Sequence, residues 1–231
     1  MSTLGELLRA MPLPAMEEVA TTAAAAPRET ADAQPASGQV FEEQIHGLVE
    51  QLFFQEALPV RNVGFTPVDP RGQTATLCLQ VAKAVSREGR YNVGLLDVSS
   101  EGPPLQQHLQ IPAPFHARVT WPISTRLWLV PRESWRRDRG ADPIRDEQLE
   151  QLRDFMTVFD FSILYCAPVS WMTMRIAQRC DGLVLILTAN ETRRLVAAQV
   201  KEQLAKARVP LLGTVLTGRR MPVPEALYRR L

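Results

Sequence analysis

From residue 41 onward the sequence alternates short apolar runs with amphipathic segments, and this alternation limits the possible folds more than any other feature. The apolar runs are "NVGFT", "NVGLLDV", "RLWLVP", "FSILYCA", "GLVLILT" and "LLGTVLT". Short, continuous apolar runs are typical of parallel strands buried on both faces. The segments between them have helical spacing. The sequence therefore predicts one α/β domain over residues 41–231, with a mostly parallel sheet, helices on both faces and ligand sites at the carboxyl ends of the strands.

The N-terminal region differs in composition from this domain. Residues 1–12 carry Leu4, Leu7 and Leu8 at helical spacing, whereas residues 13–40 have few bulky side chains and several prolines. We interpret residues 13–40 as a flexible linker in a disordered extension, and residues 1–12 as a short docking helix that binds a partner through its leucines. The alternative is a segment that packs on its own domain or has no partner.

Composition excludes several classes of function. The net charge is +1 and only three of the 26 basic residues are lysines, so we expect no nucleic-acid partner. Cys78, Cys166 and Cys180 share no metal-binding or redox spacing, and we expect buried free thiols and no metal site. No apolar run is long enough to span a membrane, and the N-terminus lacks a signal pattern. These features predict a cytoplasmic protein.

The stretch "VDPRGQTATLCLQVAKAV" follows the first predicted strand and opens a helix, which is the position of a phosphate-binding loop. Gly72 permits a tight turn, and Thr74 offers a hydroxyl at the start of the helix. Gln73 carries no charge. The structural alternatives are a simple turn at Gly72 and a helix start at Thr74.

Several stretches, in order, resemble the MinD/ParA-like P-loop ATPases, most closely the bacterial tyrosine-kinase branch of polysaccharide synthesis and export. These are "FEEQIHGLVEQLFF", "VGFTPVDPRGQTAT", "YNVGLLDVSSEGPPLQQHL", "FDFSILYCAPVS", "CDGLVLILTANETRR" and "VPLLGTVLTG". The resemblance implies a P-loop NTPase-like fold for residues 41–231. It also implies a nucleotide pocket built from the phosphate loop and two later acidic motifs.

The chain departs from the family where the chemistry needs charge. Gln73 replaces the lysine of the phosphate loop, so this Walker A motif is degenerate. Asp97 keeps the first acidic position of the second motif, but Ser99 replaces the next one. Tyr165 stands where the family has its metal-facing aspartate. Phosphoryl transfer depends on positioned charge and metal, so we predict a degenerate nucleotide pocket (Gly72, Gln73, Thr74, Asp97 and Tyr165) with no catalytic residue and no cofactor. Weak ATP or ADP binding without turnover stays open.

Two further marks of the kinase branch are absent. Tyr228 is the only tyrosine beyond Tyr165, so the C-terminal tyrosine cluster of the family is missing. The family's E-x-x-R-x-x-R ring-assembly pattern becomes Glu43, His46 and Val49. The family's ring contact is therefore not expected, although a homo-oligomer remains open.

Three tryptophans lie in the arginine-rich stretch 121–135. Trp128 falls inside an apolar run and is predicted to be core. Trp121 and Trp135 lie beside prolines and arginines, and tryptophan and arginine are residue types that anchor protein interfaces. We therefore expect Trp121 and Trp135 to be exposed and to bind a partner.

Taken together, the residues and the resemblance predict a pseudoenzyme: a catalytically silent P-loop-fold subunit of bacterial exopolysaccharide or capsule biosynthesis. It would act through protein–protein interaction with a membrane-anchored copolymerase or a synthase, and would be cytoplasmic or recruited to the inner membrane by that partner. The alternative is an ATP-binding ATPase or tyrosine kinase with an unconventional site.

Overall fold

The computed structural model describes residues 36–55, 60–70, 73–100, 102–110, 120–136 and 144–218, with the backbone alone for 36–40. Leu4, Leu7, Leu8 and Gly72 lie outside these residues, as does the predicted disordered extension up to residue 35. Among the described helices, none is both long enough and apolar enough to cross a membrane.

Seven strands form one sheet in the order β3-β4-β2-β5-β1-β6-β7. The strands are β1 (Asn62–Pro67), β2 (Val93–Asp97), β3 (Trp121–Ser124), β4 (Leu127–Val130), β5 (Phe161–Tyr165), β6 (Gly182–Thr188) and β7 (Leu211–Thr217). All neighbouring pairs are parallel except β3 and β4. The predicted α/β fold with a mostly parallel sheet is therefore confirmed.

Seven helices accompany these strands in the described residues. They are α1 (Ala36–Phe53), α2 (Thr74–Arg87), α3 (Leu105–His108), α4 (Arg132–Trp135), α5 (Asp146–Val158), α6 (Trp171–Ala177) and α7 (Arg194–Lys206). The short helices α3, α4 and α6 and the strand β3 were not predicted, because elements of about one or two turns show little periodicity.

Helix α1 begins at Ala36, which lies within the segment interpreted as a linker. Pro35 immediately precedes this first residue. Proline is compatible with a helix start, and a glycine such as Gly38 costs only about 1 kcal/mol in a helix. Contacts divide the chain into two compact units, residues 1–44 and 45–231. Within the second unit, α1 buries Ile45, Val49 and Leu52 along one face.

Helix α2 packs against the central strands β1, β2 and β5. Val81, Ala82 and Val85 on this helix are fully buried in the core. The helix ends just before Gly89, which adopts a positive φ of 71°, a conformation that glycine tolerates best. This packing fixes the start of α2 over the carboxyl ends of the strands.

Gly94 in β2 allows the turn before β5 to approach the sheet closely. A Cβ atom at this position would lie 2.3 Å from Cδ2 of Phe159. The Phe159 ring also packs against Trp128, at a centroid distance of 6.0 Å. Any side chain at position 94 must therefore displace an aromatic ring that also contacts Trp128.

We expect Gly94→Ala to lower the free energy of unfolding by about 1–3 kcal/mol, because the added methyl group overpacks the Phe159 site. Urea unfolding followed by circular dichroism measures the change. Gly213→Ala is the matched control, because Gly213 also lies in a strand and nothing stands within 4 Å of a Cβ built there. An equal loss in both variants would contradict the packing argument.

Candidate functional site

Asp97 is the last residue of β2, and its side chain has no exposed surface. Its Oδ1 accepts hydrogen bonds from the backbone N–H of Ser99 at 3.0 Å and from the Ser99 hydroxyl at 2.6 Å. Its Oδ2 accepts a third bond from the N–H of Leu105 at 2.7 Å. The carboxylate therefore accepts three hydrogen bonds from the chain that follows β2.

Arg132 supplies the positive charge beside this carboxylate. Its Nε lies 3.4 Å from Oδ2 of Asp97, and its Nη2 donates to the carbonyl oxygen of Gly102 at 3.3 Å. Burial raises the pKa of the Asp97 carboxyl, whereas the Arg132 guanidinium and the bonds from Leu105 and Ser99 act to lower it. The arginine thus offsets part of the cost of burying the charge.

Trp135 closes the same cluster from the end of α4. Its indole N–H donates to the backbone carbonyl oxygen of Asp97 at 2.9 Å, and the residue is only 1% exposed. The prediction that Trp135 is exposed for a partner is therefore wrong: the ring is buried because the sheet provides an acceptor for its N–H. Trp121 lies half-buried on the edge strand β3, and Trp128 is also half-buried.

Tyr165 is the last residue of β5 and pairs in register with Asp97 on the neighbouring strand. Side chains at paired positions lie on the same face of a sheet, so the phenol stands beside the carboxylate. Its ring makes an edge contact with His108, at a centroid distance of 6.0 Å. Burial, followed by the nearby Asp97 carboxylate, raises the pKa of Tyr165 to about 12, so the phenol is neutral at pH 7.

Thr74 and Gln73 mark the start of α2. Thr74 is 1% exposed, and its hydroxyl oxygen has no hydrogen-bond partner. Gln73 is exposed and its side chain does not cap the helix. The buried hydroxyl without a partner is the one feature of this region that fits a phosphate or metal ligand.

A contact not predicted from the sequence joins the loop after β1 to the loop after β6. The hydroxyl of Thr192 donates to Oδ2 of Asp69 at 2.5 Å and accepts from the N–H of Thr188 at 2.9 Å. Asp69 thus places a carboxylate in the loop that resembles a phosphate loop, and its negative charge opposes binding of an anionic phosphate. The pairing of β1 with β6 brings these loops together.

The residues present do not fit the Mg²⁺ ion that the P-loop fold implies. Magnesium prefers oxygen ligands, mostly water and carboxylates, around it. Asp97 is engaged by internal donors and Arg132, and the neighbouring position holds the neutral Tyr165. Among the described residues, Asp97 and Tyr165 at these two strand ends do not form the carboxylate pair that would hold the ion.

The cysteines near this site are buried and free, as predicted. Cys78 on α2 and Cys166 after β5 are buried, whereas Cys180 is half-buried. Burial is the main cause that raises the pKa of the Cys78 and Cys166 thiols. Both thiols are therefore protonated and inert in the folded state.

The fold and the strand-end position of the site define a P-loop-type α/β domain. No family model matches the chain, and no curated protein matches it. Solved structures do match it. The kinase domain of VpsO is 15% identical, with 81% of this chain and 100% of that chain covered and a TM-score of 0.63. The kinase domain of the Escherichia coli tyrosine kinase ETK is 14% identical, with 79% and 78% covered and a TM-score of 0.59.

A second group of neighbours consists of partition proteins. A plasmid partition protein from Borrelia burgdorferi, solved with AMPPNP, is 13% identical over 74% of this chain and 82% of that chain, with a TM-score of 0.54. The structural neighbours are thus bacterial tyrosine-kinase domains and partition-type ATPases, the two groups that the sequence resembles. At these identities the likeness establishes the fold.

We expect Arg132→Met to lower the free energy of unfolding at pH 7 by about 2 kcal/mol, because it leaves a buried carboxylate without its counter-charge. The pKa of Asp97 is already raised by burial, and loss of Arg132 raises it further. A carboxyl with a raised folded-state pKa stabilises the fold below its unfolded pKa, and this contribution is lost as pH rises through the folded pKa. The deficit of the variant should therefore shrink as pH falls from 7 toward about 4.

Urea unfolding of both proteins across this pH range measures the effect. Arg153→Met is the matched control, because Arg153 is 61% exposed and its ion pair in the described part of the chain is with the exposed Glu150. A deficit that stays constant with pH would show that Arg132 acts by packing and not by charge.

Proposed function

We propose that this protein is a catalytically silent P-loop-fold subunit that acts through protein–protein contacts in bacterial exopolysaccharide or capsule biosynthesis or export. The observation that carries the proposal is the internal engagement of Asp97 by Ser99, Leu105 and Arg132. The polysaccharide context comes from the family resemblance. The kinase-domain neighbours are consistent with that branch.

The charge balance of the site supports the proposal that the protein does not catalyse phosphoryl transfer. Transfer of a phosphoryl group requires positive groups and a metal to offset the charge of the triphosphate. Gln73 contributes no charge where the family has lysine, and Tyr165 contributes none where it has aspartate. Among the described residues, the positive charge paired with Asp97 belongs to Arg132, which also donates to the carbonyl oxygen of Gly102.

The proposed partner is a membrane-anchored copolymerase or a synthase, which would recruit this otherwise cytoplasmic chain to the inner membrane. Leu4, Leu7 and Leu8 are the proposed contact, and Trp121 on the edge strand β3 is a second candidate surface. Trp135 is not part of the proposed contact surface, because it is buried. Neither a resident cofactor nor a nucleic-acid partner is part of the proposal.

One observation favours the alternative, an ATP-binding protein with an unconventional site. The hydroxyl of Thr74 is buried without a partner at the position where P-loop proteins bind the metal. A buried hydroxyl that lacks a partner is unfavourable, so a ligand would be a natural partner for it. Thr74→Val keeps the shape of the side chain and removes the hydroxyl. It therefore distinguishes a silent subunit from an ATP-binding protein.

We expect ATP or ADP, with or without Mg²⁺, to leave the melting temperature of the protein unchanged. A ligand at about a hundred times its Kd would stabilise the fold by about 2.7 kcal/mol, which thermal unfolding readily detects. We also expect Thr74→Val to be neutral or slightly stabilising. A competent bacterial tyrosine-kinase domain serves as the positive control.

The outcomes of this experiment are distinct. A magnesium-dependent shift that Thr74→Val abolishes would overturn catalytic silence and support the alternative. A shift without magnesium dependence would assign nucleotide a structural role. Catalysis would then still be absent, but the prediction that the pocket has no nucleotide ligand would be wrong.

Replacement of Leu4, Leu7 and Leu8 by alanine should abolish co-purification with the proposed copolymerase or synthase of the source organism. Together with Met11, these leucines form the predicted apolar face of the proposed docking segment. Affinity capture of the full-length chain from cells of the source organism, probed for those two components, measures the effect. The nucleotide experiment does not depend on this result.

Serine replacement of Ala23, Ala24 and Ala25 is the matched control, since it changes the same number of residues within the linker. Retention of the partner by the leucine variant would exclude residues 1–12 as the docking element. Loss in both variants would indicate a requirement of the whole extension and contradict a leucine-specific contact.

A further inference from the structure

A histidine and two glutamates converge on the surface of the domain where α1 and α2 lie side by side. His46, Glu50 and Glu88 each offer one ligand atom, and these atoms lie within 4.8 Å of one another. All three side chains are exposed. The cluster lies apart from the strand-end site, because α2 begins at Thr74 near that site and ends at Arg87, next to Glu88.

The backbone positions of this cluster are set by packing. His46 and Glu50 are four residues apart on α1 and so share one face of the helix. Val49, between them, is fully buried, as is Val85 near the end of α2, and both belong to the same hydrophobic core. His46 and Glu50 are therefore presented by α1, and Glu88 lies in the turn that directly follows α2.

No ion pair in the described part of the chain offsets the charges of this cluster. None of the ion pairs or side-chain hydrogen bonds found in the described part of the chain involves the His46, Glu50 or Glu88 side chain. Among the described residues, the two carboxylates thus lie close together and neither forms an ion pair with a lysine or an arginine. A bound cation would relieve this repulsion.

We propose that His46, Glu50 and Glu88 bind a zinc ion. Zinc accepts a mixed set of imidazole nitrogen and carboxylate oxygens, and three protein ligands with water in the fourth position form a common site. Magnesium and calcium prefer oxygen ligands throughout, so the histidine disfavours them. The ion would join α1 to the end of α2. This inference goes beyond the proposed function and is independent of nucleotide binding.

The test is calorimetric titration of the full chain, freed of metal and of any affinity tag, with zinc. We expect one ion per chain and a rise in melting temperature of about 5 °C when free zinc is a hundred times its Kd. Each of His46→Ala, Glu50→Gln and Glu88→Gln should weaken binding by at least about tenfold, because even residues outside the first coordination sphere contribute that much. Magnesium at the same concentration should produce no shift.

Two controls make the result specific. Glu43→Gln removes a carboxylate from the same helix outside the cluster, and His108→Ala removes a histidine elsewhere; both should bind zinc as the unchanged chain does. The spectrum of the cobalt-substituted protein should show nitrogen and oxygen ligands and no thiolate. Absence of binding, binding insensitive to the three cluster variants, or a thiolate signal from a cysteine would each overturn the proposal.

Discussion

A carboxylate without exposed surface is stable inside a protein only where donors take the place of water. Asp97 meets this condition through Ser99, Leu105 and Arg132, which come from successive parts of the chain after β2. Trp135 adds a bond to the Asp97 backbone. Residues from three described segments between β2 and α4 therefore converge on one carboxylate, and the contacts that stabilise its charge occupy oxygens that a metal ion would need.

The central fold could be predicted because its strands are short, apolar and separated by periodic helices. All six runs recognised in the sequence became strands: five are inner strands, including the run at 126–131 that became β4, and the sixth is the edge strand β7. The edge strand β3 contains Pro122 and pairs irregularly with β4, so it lacks the uninterrupted apolar pattern. The start of α1 was missed because its first residues, alanine, serine and glycine, form no apolar pattern with helical spacing. These residues are helical because the helix continues into the segment that packs on the core.

Within the candidate site, the sequence could predict only the residues that lie at the end of a recognised strand. Asp97 and Tyr165 fall at the carboxyl ends of neighbouring strands, as the apolar runs indicate. Arg132 and Trp135 could not be assigned to them, because their contacts depend on where a long connection returns to the sheet. A tryptophan among prolines and arginines looks exposed in sequence, whereas in the fold its N–H reaches a main-chain carbonyl. The Asp69–Thr192 bond joins residues 123 apart and leaves no local signal.

Because Cys78 and Cys166 are buried, the reactivity of their thiols measures local opening of the domain. A thiol reacts with alkylating reagents as the thiolate, and only when the reagent reaches it. In the native domain both requirements are unmet, because these thiols are buried and their pKa values are raised. Modification must therefore wait for α2 or the end of β5 to separate from the core. The rate of thiol labelling under native conditions then gives the free energy of that local opening without any introduced probe.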